Sequence, residues 1–335
     1  MKKRLAEKGI DLSLKTYFIT AFSYLALGLF SSLVIGLIVR TIGEQLHIQL
    51  LISLGQLAMD LYGPAIGVAV ALALKAPPLV LFAAVIAGAA GVEAGGPAGA
   101  YIATVLATEF GKLVSKTTRL DIIFTPFVTI VVGYLTATYM GAVIGQAMIY
   151  FGELINWSVG QQPILMGILV ATLMGLALTA PISSAAIAIM LGLDGLAAGA
   201  ATVGCAAQMI GFAVSSYREN GIGGLVAQGI GTSMLQIANI IKNPLILIPP
   251  TVAGILLAPI ATGLWQMESV KEGAGMGTSG LVGQIFTFTT MGFNMEILFK
   301  VAVLHFIAPA LISLALSELF RKKGWIKLGD MKIEH

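Results

Sequence analysis

The residues of this chain that could do chemistry are mostly neutral, and they fall where apolar runs are interrupted. Ser183, Ser184, Asn220, Asn239, Asn243, Thr278, Ser279 and Gln284 all lie at or near Gly- or Pro-containing breaks. Hydroxyls and side-chain amides can both donate and accept hydrogen bonds. Several together suit a sugar-like or polyol ligand, which needs many donors and acceptors rather than a fixed charge. A small anion would instead favour helix N-termini and Arg218. Taken singly, each of these side chains serves equally well as a bond between packed helices. Their clustering at breaks is what points to a ligand path. The stretch Gly273–Gln284, GAGMGTSGLVGQ, carries the most of this signal. Bare backbone at membrane depth is tolerated only where protein or a water-filled cavity satisfies it. The stretch therefore reads as the tip of a re-entrant hairpin, the alternative being an extramembrane loop.

Ionisable side chains within apolar runs are costly and face a partner or a cavity. Asp60 precedes the Gly63–Pro64 break, and Glu93 opens the break EAGGPAG, Glu93–Gly99. Glu109 and Lys112 have the spacing of a helical ion pair, as do Glu296 and Lys300. His305 stands alone in the last apolar run; a packed, hydrogen-bonded imidazole is the plainer reading and a proton relay the other. The single cysteine, Cys205, excludes an intramolecular disulfide and reads as a small packing residue. The chain has no Walker loop, zinc-ligand spacing or HExxH pattern, and its histidines are His47, His305 and His335. No catalytic residue, cofactor, metal site, phosphohistidine relay or nucleic-acid partner is expected.

The elements that must position these groups are set by composition. The 335 residues are 57% hydrophobic and only 10% charged, whereas soluble domains carry about 25% charged residues. The chain is therefore expected to be all-α, a polytopic membrane protein. At about 20 apolar residues per span, its length accommodates about eight to ten transmembrane helices, some broken or re-entrant. It reads as one transmembrane domain over 1–335, with short basic tails at about 1–15 and 320–335. Lys2, Lys3, Arg4, Lys8 and Lys15 precede the first span, and Arg321, Lys322, Lys323, Lys327 and Lys332 follow the last. By the positive-inside rule both termini are cytoplasmic, and such basic ends can also touch anionic membrane lipid. No cleavable leader is expected, because Tyr17–Val39 is long enough to span.

Expected spans follow at about Leu50–Leu74, at Leu79–Val92 and Ala100–Val114 as a hairpin around EAGGPAG, and at Ile122–Phe151 before a loop with Glu153, Asn156 and Trp157. Pro163–Thr179 is interrupted by APISS (Ala180–Ser184), and Ala185–Ser215 is dented at Leu193–Gly195. SYRENG (Ser216–Gly221) is a turn, Gly221–Ile241 a glycine-laden helix, and KNP (Lys242–Pro244) a stop. Leu245–Trp265 carries a Pro249–Pro250 kink, Leu281–Phe293 has the length of a half-helix, and Ile297–Leu319 is the last span. Tyr62–Leu74 is similar to Gly95–Ala107, and APISS to APIAT (Ala258–Thr262), as internal repeats in transporters would be.

Taken in order, GPAGAYIA (Gly96–Ala103), APISSAAI (Ala180–Ile187), SYRENG, KNPLILIPP (Lys242–Pro250) and GMGTSGLVGQ (Gly275–Gln284) resemble the EIIC-like membrane family of the bacterial sugar phosphotransferase system. The likeness is strongest to the branch containing the perfringolysin O regulator-type proteins, and it covers nearly the whole chain. The resemblance implies a homodimeric helical transporter with re-entrant hairpins around a sugar site, working by alternating access. It also implies separate EIIB and EIIA partners, with a phosphocysteine on EIIB phosphorylating the sugar. It makes Glu93, Ser183, Ser184, Asn243, Thr278, Ser279 and Gln284 the substrate-binding candidates, each as a hydrogen-bonding group. The Gly-Ile-Thr-Glu-Pro signature of glucose-type EIIC domains is absent. A membrane-embedded sensor that binds a solute and controls gene expression stays open as the alternative, with a channel as a third reading.

Overall fold

A computed structural model describes residues 8–333. Among these residues the regular structure is helical, with one isolated antiparallel bridge between Gly195 and Ser269. The chain divides into two compact units, 1–148 and 149–335.

In the first unit, α1 (Thr16–Leu46) turns at His47 and packs antiparallel on α2 (Gln49–Asp60) and α3 (Tyr62–Ala73). Small residues allow the approach: a Cβ added to Gly36 would lie 2.8 Å from the Gly55 carbonyl oxygen, and one on Gly28 2.9 Å from that of Ala65. The second expected span is thus real but broken, with α2 and α3 meeting at a 48° bend.

Next in the chain, α4 (Pro78–Val114) is a hairpin rather than one helix. Helical geometry fails at Gly95 (φ −157°, ψ 25°) and Gly96 (φ 59°, ψ −151°). Gly91 and Gly99 would be about 12 Å apart along a continuous helix. Instead a Cβ on Gly91 would meet the Gly99 carbonyl at 2.5 Å, and one on Gly111 would meet Val80 at 2.9 Å. Arms 78–94 and 97–114 therefore run side by side, each about 25 Å long, as EAGGPAG suggested. The conformation of Gly96 is one that essentially only glycine adopts. At the other end of the second arm, Lys112 is only 2% exposed. Its ammonium donates to the carbonyls of Leu74 (3.0 Å) and Gly9 (2.9 Å) and lies 3.0 Å from Glu109, the expected ion pair. Glu296 and Lys300 also pair, at 2.6 Å.

Helix α5 (Asp121–Val159) contributes to both units. It runs through Glu153, Asn156 and Trp157, which were expected in a loop. The stretch 153–159 holds no glycine or proline, so nothing stops the helix before Gly160.

The second unit comprises α6 (Pro163–Thr179), α7 (Ser184–Leu191), α8 (Gly195–Ser215), α9 (Tyr217–Val226), α10 (Pro244–Leu264), α11 (Val282–Met291) and α12 (Met295–Lys322). The expected helix over Gly221–Ile241 is instead a succession of short turns of differing pitch, with glycine and β-branched residues interrupting any long run. Pro249 and Pro250 do not kink α10: it opens with the 3₁₀ turn Pro244–Leu247, and the two prolines stand in the first turn of its α-helical part, Ile248–Pro259, where their missing N–H groups cost nothing. Ala258–Thr262 is helical whereas Ala180–Ser183 is a break, so the APIAT and APISS likeness is one of sequence only.

Among the described residues six helices are long and apolar enough to cross a membrane, or seven with the bent α2–α3 pair taken as one span. The figure lies below eight to ten because α6 is short, at 17 residues, and because the hairpin α4 enters as one helix. The ten-residue α11 is about 15 Å long, half a hydrocarbon core, as its sequence length suggested. The second unit is built on α8: 89% of its apolar window is buried, against 50% or less for the other membrane-length helices.

Placing a Cβ at Gly96 tests the hairpin. Gly96→Ala is expected to cost about 1–3 kcal/mol because of its backbone conformation. Gly223→Ala, in open space on a helix, is expected to be neutral or slightly stabilising. The unfolding midpoints of the two purified variants in detergent are the measurement.

Candidate functional site

The stretch 273–284 is buried apart from half-buried Met276 and exposed Leu281. A solvated loop would not be, so the stretch is folded into the second unit rather than exposed as a free loop. The segment leans on α8 through Gly277. That residue has a left-handed φ of 54°, and a Cβ there would come within 2.8 Å of Cys205 and Ala206. Thr278 Oγ1 donates to Met209 Sδ at 3.5 Å, and a Cβ on Gly283 would lie 2.8 Å from Thr202 Cγ2. One face of α8 therefore receives the segment along Thr202, Cys205, Ala206 and Met209. Cys205 is fully buried, its thiol 3.4 Å from the Met174 carbonyl, in keeping with a packing role.

The APISS break arrives at the same place. Ser184 Oγ donates to the Gly275 carbonyl at 2.7 Å, so two interruptions 91 residues apart in the chain are joined directly. Ser183 precedes it at the N-terminus of α7 and is half-buried, its carbonyl accepting from the Ile187 N–H. Ser279 is buried, and its N–H donates to the Met276 carbonyl.

Gln284 is 4% exposed. One end of its amide meets His305 Nδ1 at 2.9 Å, while the other end is buried without a partner. An unmet buried amide costs about 1–3 kcal/mol, so this is a polar group with spare capacity for a ligand. It also places the lone imidazole of α12: His305 is packed and hydrogen-bonded, and it orients a candidate site residue.

A further set of neutral groups lies around α8. Thr179 and Ser233 share a hydroxyl–hydroxyl bond of 2.8 Å, Gln208 Oε1 is 3.5 Å from Thr179, and Gln208 Nε2 donates to Thr251 at 2.8 Å. Sequence reasoning passed over these four residues because most of them sit within apolar runs rather than at breaks. The signal available was Gln208 itself, an amide in the middle of the most apolar-buried helix. Apart from the His305 imidazole and the buried Cys205 thiol, the groups gathered here are hydroxyls and amides, which can orient a neutral ligand by hydrogen bonds.

The remaining candidates lie elsewhere. Asn243 is drawn away from this cluster: its amide donates to the Trp325 carbonyl (3.0 Å) and to Asp330 (2.8 Å), and its oxygen caps Leu245 N–H. Asn220 and Asn239 face the same segment, meeting Met331 and Lys332. Glu93 belongs to the first unit and is exposed just ahead of the turn in α4.

Long apolar helices, interrupted segments folded back onto a buried helix, and a neutral polar cluster at their junction define a polytopic membrane transport protein. The chain matches the family described as phosphotransferase system, EIIC, over residues 19–333. It belongs to that family, whose members are the membrane transporter components of the phosphotransferase system. No curated protein and no solved structure matches it.

The joint between the two interruptions can be tested directly. Ser184→Ala removes the donor to a buried carbonyl and is expected to lower stability by about 1–3 kcal/mol. Ser31→Ala, which removes an exposed bond within α1, is expected to change it by no more than about 0.5 kcal/mol. Denaturant or thermal unfolding of both variants in the same detergent decides the matter.

Proposed function

We propose that this chain is the solute-translocating subunit of a phosphotransferase system. In this reading it carries a sugar or sugar derivative inward by alternating access and hands it to a separate EIIB protein for phosphorylation, with EIIA as the phosphate donor to EIIB. The observation that carries the reading is the junction on α8. There Ser184 ties one interrupted segment to the other at Gly275, and Gln284 keeps one amide end free. Ser183, Ser184, Thr278, Ser279 and Gln284 are the proposed solute-binding residues of the second unit, and Glu93 a proposed acceptor on the first. Asn243 is retained as a candidate whose observed partners are protein groups.

The chemistry favours a neutral polyhydroxylated solute. Hydroxyl and amide side chains match its donors and acceptors one by one, and no fixed charge in the cluster would repel or select an ion. Irregular segments packed at glycines also suit a site that must open alternately to two sides, because short half-helices can tilt without unfolding a full span. Phosphate chemistry would be supplied by EIIB, since the chain's own cysteine is buried beneath the re-entrant segment. The chain is proposed to act as a homodimer and a single EIIC domain, with both termini cytoplasmic.

Uptake into proteoliposomes is the test. With EIIA, EIIB and the general phosphotransfer proteins enclosed with phosphoenolpyruvate, a labelled sugar from a broad panel is expected to accumulate as its phosphate. Ser279→Val is expected to reduce that uptake at least tenfold while the protein still inserts. Absence of flux for every sugar, polyol and derivative of the panel would overturn the transport reading; saturable binding of one of them without flux would support the sensor instead.

A further inference from the structure

The segment after α12, residues 323–333, falls within the expected short basic tail at about 320–335, and it is seated on the second unit. It forms two successive turns closed by Asp330 N–H to Lys327 O and Lys332 N–H to Gly329 O. Side chains, rather than a sheet or helix, hold it. Asn220 both donates to the Met331 carbonyl (2.8 Å) and accepts from the Ile333 N–H (2.9 Å). Gln236 donates to the same Met331 carbonyl (3.0 Å), Asn239 to that of Lys332 (2.9 Å), and Asn243 to that of Trp325 (3.0 Å). Ile326, Met331 and Ile333 are buried, the first two among Phe212 and Ile246. Lys323, Lys327 and Lys332 between these anchors are exposed.

Side-chain amides that read main-chain groups, apolar anchors at intervals and outward-facing charges are the features of a peptide-binding groove. Its position gives it reach. Gln236 ends the single turn Ser233–Gln236, and Ser233, which opens that turn, bonds to Thr179 in the polar set beside α8. Gln236 is further tied through Gln228 to Ser216, at the C-terminal end of α8. One short turn is thus held by the segment at one end and by the polar set beside α8 at the other. The segment has no helix or strand of its own, and three buried anchors with a handful of side-chain hydrogen bonds hold it, so it can leave as one local unit of the kind recruited for switching.

We propose that the groove formed by Asn220, Gln236, Asn239 and Asn243 is a peptide-binding site, which the chain's own segment 323–333 occupies as a releasable latch on the re-entrant segment. The inference rests on the proposed function only for what the re-entrant segment binds. Release frees Gln236, lets the turn 233–236 shift away from Thr179 and loosens the packing around α8.

Cys205, the only thiol of the chain, lies under Gly277 and reports on that packing without any solute. The experiment measures its alkylation by N-ethylmaleimide in the full-length protein, in a chain ending at Lys322, and in the double variant Asn220→Ala/Asn239→Ala, all in proteoliposomes. The rate is expected to rise at least tenfold in both altered proteins. A synthetic peptide of residues 323–335 added to the truncated chain is expected to restore the slow rate, which an unfolded protein could not do. Tryptic cleavage at Lys327 in the double variant is expected to quicken, showing that the segment has left the groove. Quicker cleavage with unchanged Cys205 alkylation overturns the latch, as does a fast rate in the truncated chain that the peptide leaves unaltered. A working latch in a protein that transports no sugar would overturn the transport reading and leave this one standing.

Discussion

The structure depends on one constraint: irregular backbone at membrane depth must find its hydrogen-bond partners within the protein. The second unit meets it with α8, a helix so poor in bulk that other backbones come to rest on it. The segment 273–284 could not approach Cys205 and Ala206 if residue 277 carried a side chain. It would not be tied to the APISS break without the bond from Ser184 to the Gly275 carbonyl. The first unit meets the same constraint by folding α4 back on itself, the close arms again made possible by glycines facing each other at 91 and 99.

That constraint explains why so much of the architecture could be read from the sequence. A glycine- and proline-containing interruption in an apolar run has few places to go, and EAGGPAG became a hairpin turn, APISS a break and GAGMGTSGLVGQ a buried re-entrant segment. The pairs Glu109–Lys112 and Glu296–Lys300 were legible because helical spacing alone brings their side chains together. Partners distant in the chain were not legible. Asn220, Asn239 and Asn243 have the right chemistry for a ligand, but residues about 90 to 110 positions away use them first. Nothing local distinguishes an amide that waits for a solute from one that holds a carbonyl of its own chain. The reverse also holds for Thr179, Gln208 and Ser233, which local sequence would leave to helix packing and which the fold gathers into one set.

Membership of the EIIC family fits the division of chemistry seen here. The groups gathered around α8 are mostly neutral hydroxyls and amides, and the family works with separate EIIB and EIIA partners. A membrane subunit of that kind needs selectivity and movement rather than catalysis. Short half-helices, π and 3₁₀ turns over 227–236 and the hydrogen-bonded segment 323–333 are suited to movement, because each can shift at the cost of a few bonds while the long helices stay intact.

The interrupted segment 273–284 is buried structure against α8 in the second unit. Hydrogen–deuterium exchange of the protein in lipid nanodiscs tests this burial most directly. Peptides covering 273–284 are expected to exchange as slowly as those of α8, with protection lasting hours. Exchange of 273–284 within seconds, at the rate of a solvated loop and with α8 still protected, would contradict it.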